Sequence, residues 1–135
     1  MNIPKGNSKE ELKARENIIS QAYREWTSLN PDKKVYNNSL HDFIHIRFIS
    51  ITETMRHAAK NYNSTLAILQ LDTILQKAVK YGKPIPTKKG VKNQDKFTKM
   101  QKMMCELDGI GTVKMIVGIK RSGEIIQYCI TANGE

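Results

Sequence analysis

Two glycine-containing turn sequences divide the last third of the chain, and they constrain the fold more than any other feature. DGIG (108–111) precedes the apolar segment TVKMIVGIK, and RSGE (121–124) precedes IIQYCIT. Apolar, β-branched segments separated by short glycine turns are typical of a β-meander. We therefore predict consecutive antiparallel strands over about 112–120 and 125–131.

The segment before the first of these turns admits two interpretations. Its apolar side chains fit helical spacing, but the strands that follow need a partner. The side chains in question are Phe97, Met100, Met103, Met104 and Leu107. We interpret residues 101–107 as a strand, and the choice decides how large the sheet is.

The first helix has clear signals at both ends. Ser8 and Glu11 form the S-x-x-E pattern of a capping box, which starts a helix. Apolar residues then recur at helical spacing as far as Leu29, and Pro31 stops the helix. We predict a helix over about 9–29, with Trp26 as a core anchor rather than a base-stacking residue.

Residues 42–50, DFIHIRFIS, alternate in a way that indicates a short strand, although a helix is also compatible. Ser50 and Glu53 repeat the capping-box spacing, so a second helix is predicted to begin near Ile51. Asn63 or Ser64 is predicted to cap a third helix, which ends near Gly82.

The predicted fold class is α+β, with N-terminal helices followed by a small antiparallel β-meander sheet. A chain of 135 residues has the size of one domain. Within residues 1–135 we expect an added N-terminal helix over 1–35 and a basic loop over 83–96.

Positive charge is the strongest compositional signal. The chain has 22 Lys and Arg against 13 Asp and Glu, a net charge of +9. Residues 83–104 contain seven lysines and one aspartate, so most of the excess lies there. Clustered lysines attract a polyanion, and nucleic acid, RNA in particular, is the expected partner. The candidate phosphate-binding residues are Lys60, Lys83, Lys88, Lys89, Lys92, Lys96 and Lys99. The alternatives are a solvated basic loop and a protein partner with an acidic face.

Motifs for metals and nucleotide cofactors are absent from the sequence. There is no H-E-x-x-H, no paired cysteine motif, no EF-hand loop, no G-x-x-x-x-G-K-[ST] and no G-x-G-x-x-G. We therefore expect no metal and no cofactor. Cys105 and Cys129 lie among apolar residues and are interpreted as reduced core residues of a cytoplasmic protein. No apolar run approaches the roughly 18 residues of a membrane span, so no membrane partner is expected.

His57 is the leading candidate for a catalytic residue. On a helix whose core stripe contains Met55, Ala58, Ala59 and Tyr62, it points away from the core. Glu53 lies four residues earlier, where a carboxylate can orient an imidazole. RNA can be cleaved by its own 2′-hydroxyl, given a base, an acid and cations. The alternative for His57 is an ordinary solvated helix face.

The last strands carry further candidates. Tyr128 and Thr131 lie three residues apart, so on a regular strand they point to opposite faces and at most one lines a given cleft. Lys114 is expected to point outward or into a groove. Tyr128 could equally be a packing residue and Lys114 an ordinary surface lysine. His41 and His45, which flank the first strand, are weaker candidates.

The chain resembles the superfamily of small nucleases that groups barnase, EndoU, the tRNase colicins and the RelE toxins, above all its phage and mobile-element versions. The resembling segments are HAAKNYNSTLAILQLDTILQKA, the basic loop, DGIGTVKMIVGIK and IIQYCIT. Together they cover roughly residues 40–132, a nuclease-like core. The resemblance implies metal-independent RNA cleavage by a helix-borne histidine with basic or hydroxyl residues from the sheet. His57, Lys114 and Thr131 are the positions that match those roles.

The sequence also departs from that superfamily in two ways. It lacks a second convincing histidine on the predicted sheet, and it shows no clear arginine–glutamate pair there. Two functions therefore stay open. One is a metal-independent RNase-like domain that uses His57 as general acid or base with a lysine-rich phosphate-binding loop. The other is a non-catalytic nucleic-acid-binding or protein-interaction domain of a phage or mobile element on the same scaffold.

Overall fold

A computed structural model describes residues 2–87 and 96–132, apart from the side chains of Phe48 and Ile49. The described part contains four helices: α1 (Lys9–Leu29), α2 (Phe48–Ala59), α3 (Tyr62–Ile68) and α4 (Leu71–Lys77). Its seven strands are β1 (Lys34–Asn37), β2 (Asp42–His45), β3 (Val79–Lys80), β4 (Ile85–Pro86), β5 (Phe97–Leu107), β6 (Gly111–Lys120) and β7 (Ile125–Ala132). The predicted α+β class is confirmed. None of these helices is long and apolar enough to cross a membrane.

The strands form one sheet in the order β1-β2-β7-β6-β5-β3, and β4 pairs with β5. Strands β5, β6 and β7 are the predicted antiparallel meander. The sheet is larger than predicted because the β1–β2 hairpin, which precedes three of the helices, joins it. Strand β2 pairs with β7 in parallel at Ile44↔Ile125 and His45↔Ile126, so the sheet is mixed.

Helix α1 has the predicted bounds. The Ser8 hydroxyl accepts a hydrogen bond from the Glu11 N–H at 3.2 Å, and the Glu11 carboxylate accepts one from the Ser8 N–H at 3.4 Å. The predicted capping box is therefore present. Trp26 is buried in the main core, and its indole N–H donates to Asp72 Oδ1 at 3.1 Å. Its assignment as a core anchor is confirmed.

The start of α2 differs from the prediction. The strand expected over 42–50 ends at His45, and the helix begins at Phe48 instead of near Ile51. Ser50 does not cap this helix because it lies inside the first turn with its side chain buried. Ile51 lies in the main core and Ser50 is also buried, so the tertiary structure overrides the local capping signal.

The third predicted helix is two helices. Asn61, rather than Asn63 or Ser64, caps α3, since its Oδ1 accepts from the Ser64 N–H at 2.8 Å. The two residues after Ile68 separate α3 from α4. Helix α4 ends at Lys77 and not near Gly82, because Val79 and Lys80 pair with β5 instead.

Strand β5 settles the ambiguous segment, because all of residues 97–107 are extended. Its ladder with β6 runs from Phe97↔Lys120 to Leu107↔Gly111. Phe97 and Met100 pack on one face of the sheet, whereas Met103 and Leu107 pack on the other. Burial on both faces produced the apolar spacing that resembled a helix.

The two faces of the sheet differ in what covers them. The main core contains buried residues of all four helices and one face of the sheet. The second cluster consists of strand residues only, namely Phe97, Met100 and Ile126 with Ile85, Ile116 and Tyr128 packed against them. We call the face that carries this second cluster the open face.

Candidate functional site

Helix α2 lies beside one edge of β7. Along its length β7 pairs with β6, but on its other side it pairs with β2 only at its first two residues. Beyond that point α2 packs against it, and the Thr54 hydroxyl donates to the Tyr128 carbonyl at 3.4 Å. Helix and strand edge enclose a hollow of about 170 Å³. The residues that line this hollow are Glu53, Thr54, His57, Tyr128, Cys129, Ile130 and Thr131.

The hollow brings together three of the four predicted catalytic residues. His57, Tyr128 and Thr131 all line it. His57 is exposed, in agreement with its predicted helical phase. The fourth residue, Lys114, is exposed on β6 directly opposite Thr131. Residues that carry an imidazole, two hydroxyl groups and an ammonium group are therefore neighbours in this part of the fold.

The prediction that Tyr128 and Thr131 cannot line the same cleft is wrong. In the β6–β7 ladder, Ile116 pairs with Cys129 and Val117 pairs with Gln127, so β7 contains one residue more than β6 at this point, Tyr128. A bulge of this kind inserts one residue and reverses the alternation of side chains beyond it. Tyr128 and Thr131 therefore both reach the hollow. No local sequence signal marks the bulge.

A buried polar contact holds the two walls of the hollow together. Gln127 is fully buried, and its Nε2–H donates to the Thr54 hydroxyl oxygen at 2.8 Å. The Thr54 hydroxyl in turn donates to the carbonyl of Tyr128, which connects α2 to the bulge. The Gln127 Oε1 has no hydrogen-bond partner within residues 2–87 and 96–132. Sequence reasoning missed Thr54 and Gln127, because 73 positions separate them.

The hollow also contains a carboxylate and a thiol, which differ in the chemistry they can perform. Glu53 lies one helical turn before His57 and supplies a carboxylate. Burial raises the pKa of the Cys129 thiol above its usual 9.0, so this group is a neutral thiol rather than a nucleophilic thiolate at neutral pH. Acid–base chemistry by Glu53 and His57 therefore fits the hollow better than cysteine nucleophilic catalysis.

The predicted phosphate-binding lysines divide into three groups. Lys60 is exposed three residues after His57, on the same side of α2. Three others are exposed around β4 and β5, two strands away from β7: Lys83, Lys96 and Lys99. The remaining three lie outside the described residues: Lys88, Lys89 and Lys92. Lys102, another of the seven lysines of residues 83–104, lies on β5 opposite Ile116.

A second polar cluster lies at the other end of β7. Arg47 Nη2 is 2.8 Å from Glu124 Oε2, Lys120 Nζ is 3.6 Å from Glu124 Oε1, and His45 Nδ1 is 3.9 Å from Glu124 Oε2. The hydrogen bond from Arg47 lowers the pKa of Glu124 below its usual value. Arg47 precedes α2 and Glu124 precedes β7, so this arginine–glutamate pair lies outside the strands and away from the hollow.

The two other histidines lie outside the hollow. His45 belongs to the Glu124 cluster, and His41 is exposed in the β1–β2 turn with a φ of 54°. Within the two described ranges, no group of three or more His, Cys, Asp and Glu side chains is arranged to hold a metal ion. Cys105 and Cys129 are half-buried and form no disulfide.

The chain belongs to the large polyvalent protein-associated domain 3 family, whose model matches residues 14–128. This membership makes it a phage- or mobile-element-associated domain. No curated protein and no solved structure matches the chain. The matched range includes Glu53, His57, Lys114 and Tyr128, and it ends three residues before Thr131.

Proposed function

We propose that this member of the large polyvalent protein-associated domain 3 family is a metal-independent RNA-cleaving domain. Its catalytic site is the hollow between α2 and β7. The observation that carries the proposal is the convergence of His57, Tyr128 and Thr131 on that hollow, with Lys114 opposite Thr131. Cleavage of RNA by its own 2′-hydroxyl needs proton-transfer groups and a cation, and the hollow offers both.

The reaction follows from these groups. The 2′ oxygen of a ribose forms a bond to the adjacent phosphorus, and the bond from phosphorus to the 5′ oxygen of the next nucleotide breaks. One group takes the 2′-hydroxyl proton and another gives a proton to the leaving 5′ oxygen. His57 performs one of these transfers, and Glu53 or Tyr128 performs the other. The products are a 2′,3′-cyclic phosphate and a 5′-hydroxyl.

Lys114 stabilises the negative charge that develops on the phosphate. Val113 and Met115 are buried in the main core, so Lys114 between them points to the open face. Lys102 lies on the same face, one strand further from the hollow and in diagonal register with Lys114. Lys114 and Lys102 lie on adjacent strands about 4.8 Å apart and form the cationic path on the open face. Lys99 belongs to the other face, because its partner Ile119 packs against the main core. RNA bound in the hollow has cations along this path.

One observation favours a second candidate, a non-catalytic nucleic-acid-binding domain. Among the described residues the hollow contains a single histidine, since His41 and His45 lie elsewhere. A surface with cations and only one histidine for the two proton transfers would bind RNA without cleaving it.

The two candidates are separated by incubating a single-stranded RNA oligonucleotide with the protein in EDTA. The variants are His57→Asn and, as a matched control, His41→Asn, because asparagine tolerates the positive φ at residue 41. We expect the wild type and His41→Asn to cleave the RNA. We expect His57→Asn to cleave at least about 100-fold more slowly while binding RNA equally well. Salt-dependent binding without cleavage by the wild type would favour the binding domain. Equal cleavage by His57→Asn would remove His57 from the mechanism.

A further inference from the structure

The β1–β2 hairpin exposes two aromatic side chains at the edge of the sheet. Tyr36 and Phe43 pair directly across the two strands, with ring centroids 5.4 Å apart in an edge-to-face arrangement. Tyr36 is 43% exposed and Phe43 is 40% exposed. Among the described residues, the other large apolar side chains with comparable exposure are Leu29 and Val79. The two rings contact each other, and each still leaves about two fifths of its surface accessible to a ligand.

The two rings lie on the open face. Ile44 is fully buried in the main core, so its neighbours Phe43 and His45 point to the opposite face. Lys34 pairs with His45, and its Nζ lies 4.6 Å from the centroid of the Phe43 ring. Asp42, the acidic residue of β2, belongs to the other face by the same alternation. The aromatic pair thus has a cation against it on its own face.

We infer that Tyr36 and Phe43 form a stacking platform for the bases of single-stranded RNA, with Lys34 beside the phosphates. The inference deepens the proposed function and rests on RNA as the ligand. Aromatic rings stack on any base, and an adjacent lysine contributes attraction to the backbone. A duplex hides its base faces, so the platform selects unpaired strands. The net charge of +9 favours a polyanion over an uncharged apolar partner.

The platform lies on the same face of the sheet as Thr131, which lines the hollow. His45 of β2 is in register with Ile126 of β7, and Tyr128 follows on the same strand. By this register Phe43 is level with residue 124, four residues before Tyr128. The separation along the strand is therefore roughly 13 Å at about 3.3 Å per residue. A single strand held at Tyr36 and Phe43 can extend across the open face to His57.

The test measures binding of a labelled 12-nucleotide single-stranded RNA and of the corresponding duplex, in EDTA. Every protein carries His57→Asn, so that cleavage does not disturb the titration. The test variant adds Tyr36→Leu and Phe43→Leu, which keep apolar bulk and remove the rings. The control adds Leu29→Ala, which removes an exposed apolar side chain on α1. A second variant adds Lys34→Met, and thermal unfolding checks that each protein is folded.

We expect the double leucine variant to bind single-stranded RNA at least about tenfold more weakly and the duplex unchanged. Lys34→Met should reduce the slope of log K against log salt by about 0.7, the contribution of one phosphate contact on a single strand. Tight binding that neither variant changes would overturn the platform and leave the proposed function standing. No RNA binding even by the parent would overturn both. A wild-type dimer that the leucine variant dissociates would assign the rings to contact between copies and overturn the platform.

Discussion

Lys114 of β6 lies directly opposite Thr131 of β7 on the open face of the sheet. Directly paired residues on one face of an antiparallel ladder have β-carbons only about 5 Å apart. The Lys114 side chain therefore begins beside that of Thr131, which lines the hollow together with His57. This pairing places a lysine of the open face next to a residue that lines the hollow.

If Lys114 stabilises the charge that develops on the phosphate, its replacement should affect catalysis more than binding. We expect Lys114→Met to lower the cleavage rate roughly 100-fold, whereas Lys114→Arg retains part of the activity. Cleavage rates at saturating RNA measure this effect. Lys77→Met, at the exposed end of α4, is the matched control and should leave the rate unchanged. Equal losses of cleavage rate for Lys114→Met and Lys77→Met would show that Lys114 contributes only to the general positive charge of the protein.

Arg15 is a buried clamp that sequence reasoning did not identify. Its Nε–H donates to the Ala59 carbonyl at 2.8 Å, and its Nη1 donates to the carbonyls of Pro4 at 2.9 Å and Gly6 at 2.6 Å. We expect Arg15→Met to lower the free energy of unfolding by about 3 kcal/mol, because buried acceptors lose their donors. Urea denaturation of the wild type and Arg15→Met measures this loss of stability. The exposed Arg24→Met on the same helix should change stability by less than about 0.5 kcal/mol, and an equal effect would contradict the clamp.

Gly118 leaves space for the ring of Phe97. A β-carbon at residue 118 would lie 2.6 Å from carbons of that ring, which is itself buried against Tyr128. We expect Gly118→Ala to lower the free energy of unfolding by about 2 kcal/mol through overpacking. In a Phe97→Leu background the same change should cost clearly less. Thermal unfolding of the wild type, the two single variants and the double variant measures the coupling between residues 118 and 97. Strictly additive changes in the free energy of unfolding would exclude their contact as the cause.

Glu124 should make stability depend on pH in the acid range. The hydrogen bond from Arg47 lowers its pKa in the folded protein below the usual 4.5. The folded state therefore binds this proton less readily than the unfolded state. The stabilisation is present above pH 4.5 and is lost as the pH falls through the lowered pKa. We expect Glu124→Gln to be about 0.5 kcal/mol less stable at pH 7, since the pair is solvent-accessible.

Denaturation of the wild type and Glu124→Gln between pH 7 and pH 3 tests this prediction. The difference between the two proteins should shrink below pH 4.5. In an Arg47→Gln background the difference at pH 7 should be much smaller. A difference that is constant over the whole range would show that the carboxylate charge is not its source.

Features set by neighbouring residues could be predicted from the sequence. The capping box of Ser8 and Glu11 defines the start of α1. Gly109 and Gly123 adopt φ values of 79° and 94°, which their turns require and which glycine adopts readily. The helical phase of His57 was enough to predict its exposure. In each case the signal and its consequence lie within a few residues.

Features that depend on distant residues could not be predicted. The bulge at Tyr128 arises from the pairing of β6 with β7 and carries no local signal. Arg47 and Glu124 form their pair across 77 positions, through the parallel contact of β2 with β7. The hollow itself exists because β2 leaves the edge of β7 and α2 replaces it. The residues that line it could be proposed one by one from the sequence. That they lie together could be seen only in the folded structure.

RNA cleavage by the hollow is tested most directly with a DNA oligonucleotide that contains a single ribonucleotide, incubated with the protein in EDTA. We expect the wild type to cut only on the 3′ side of that ribonucleotide and to leave a 2′,3′-cyclic phosphate. His57→Asn should not cut it, and the all-DNA oligonucleotide should stay intact. Cutting of the all-DNA strand, or no cutting of the ribonucleotide by a wild type that binds the strand, would contradict RNA cleavage by the hollow.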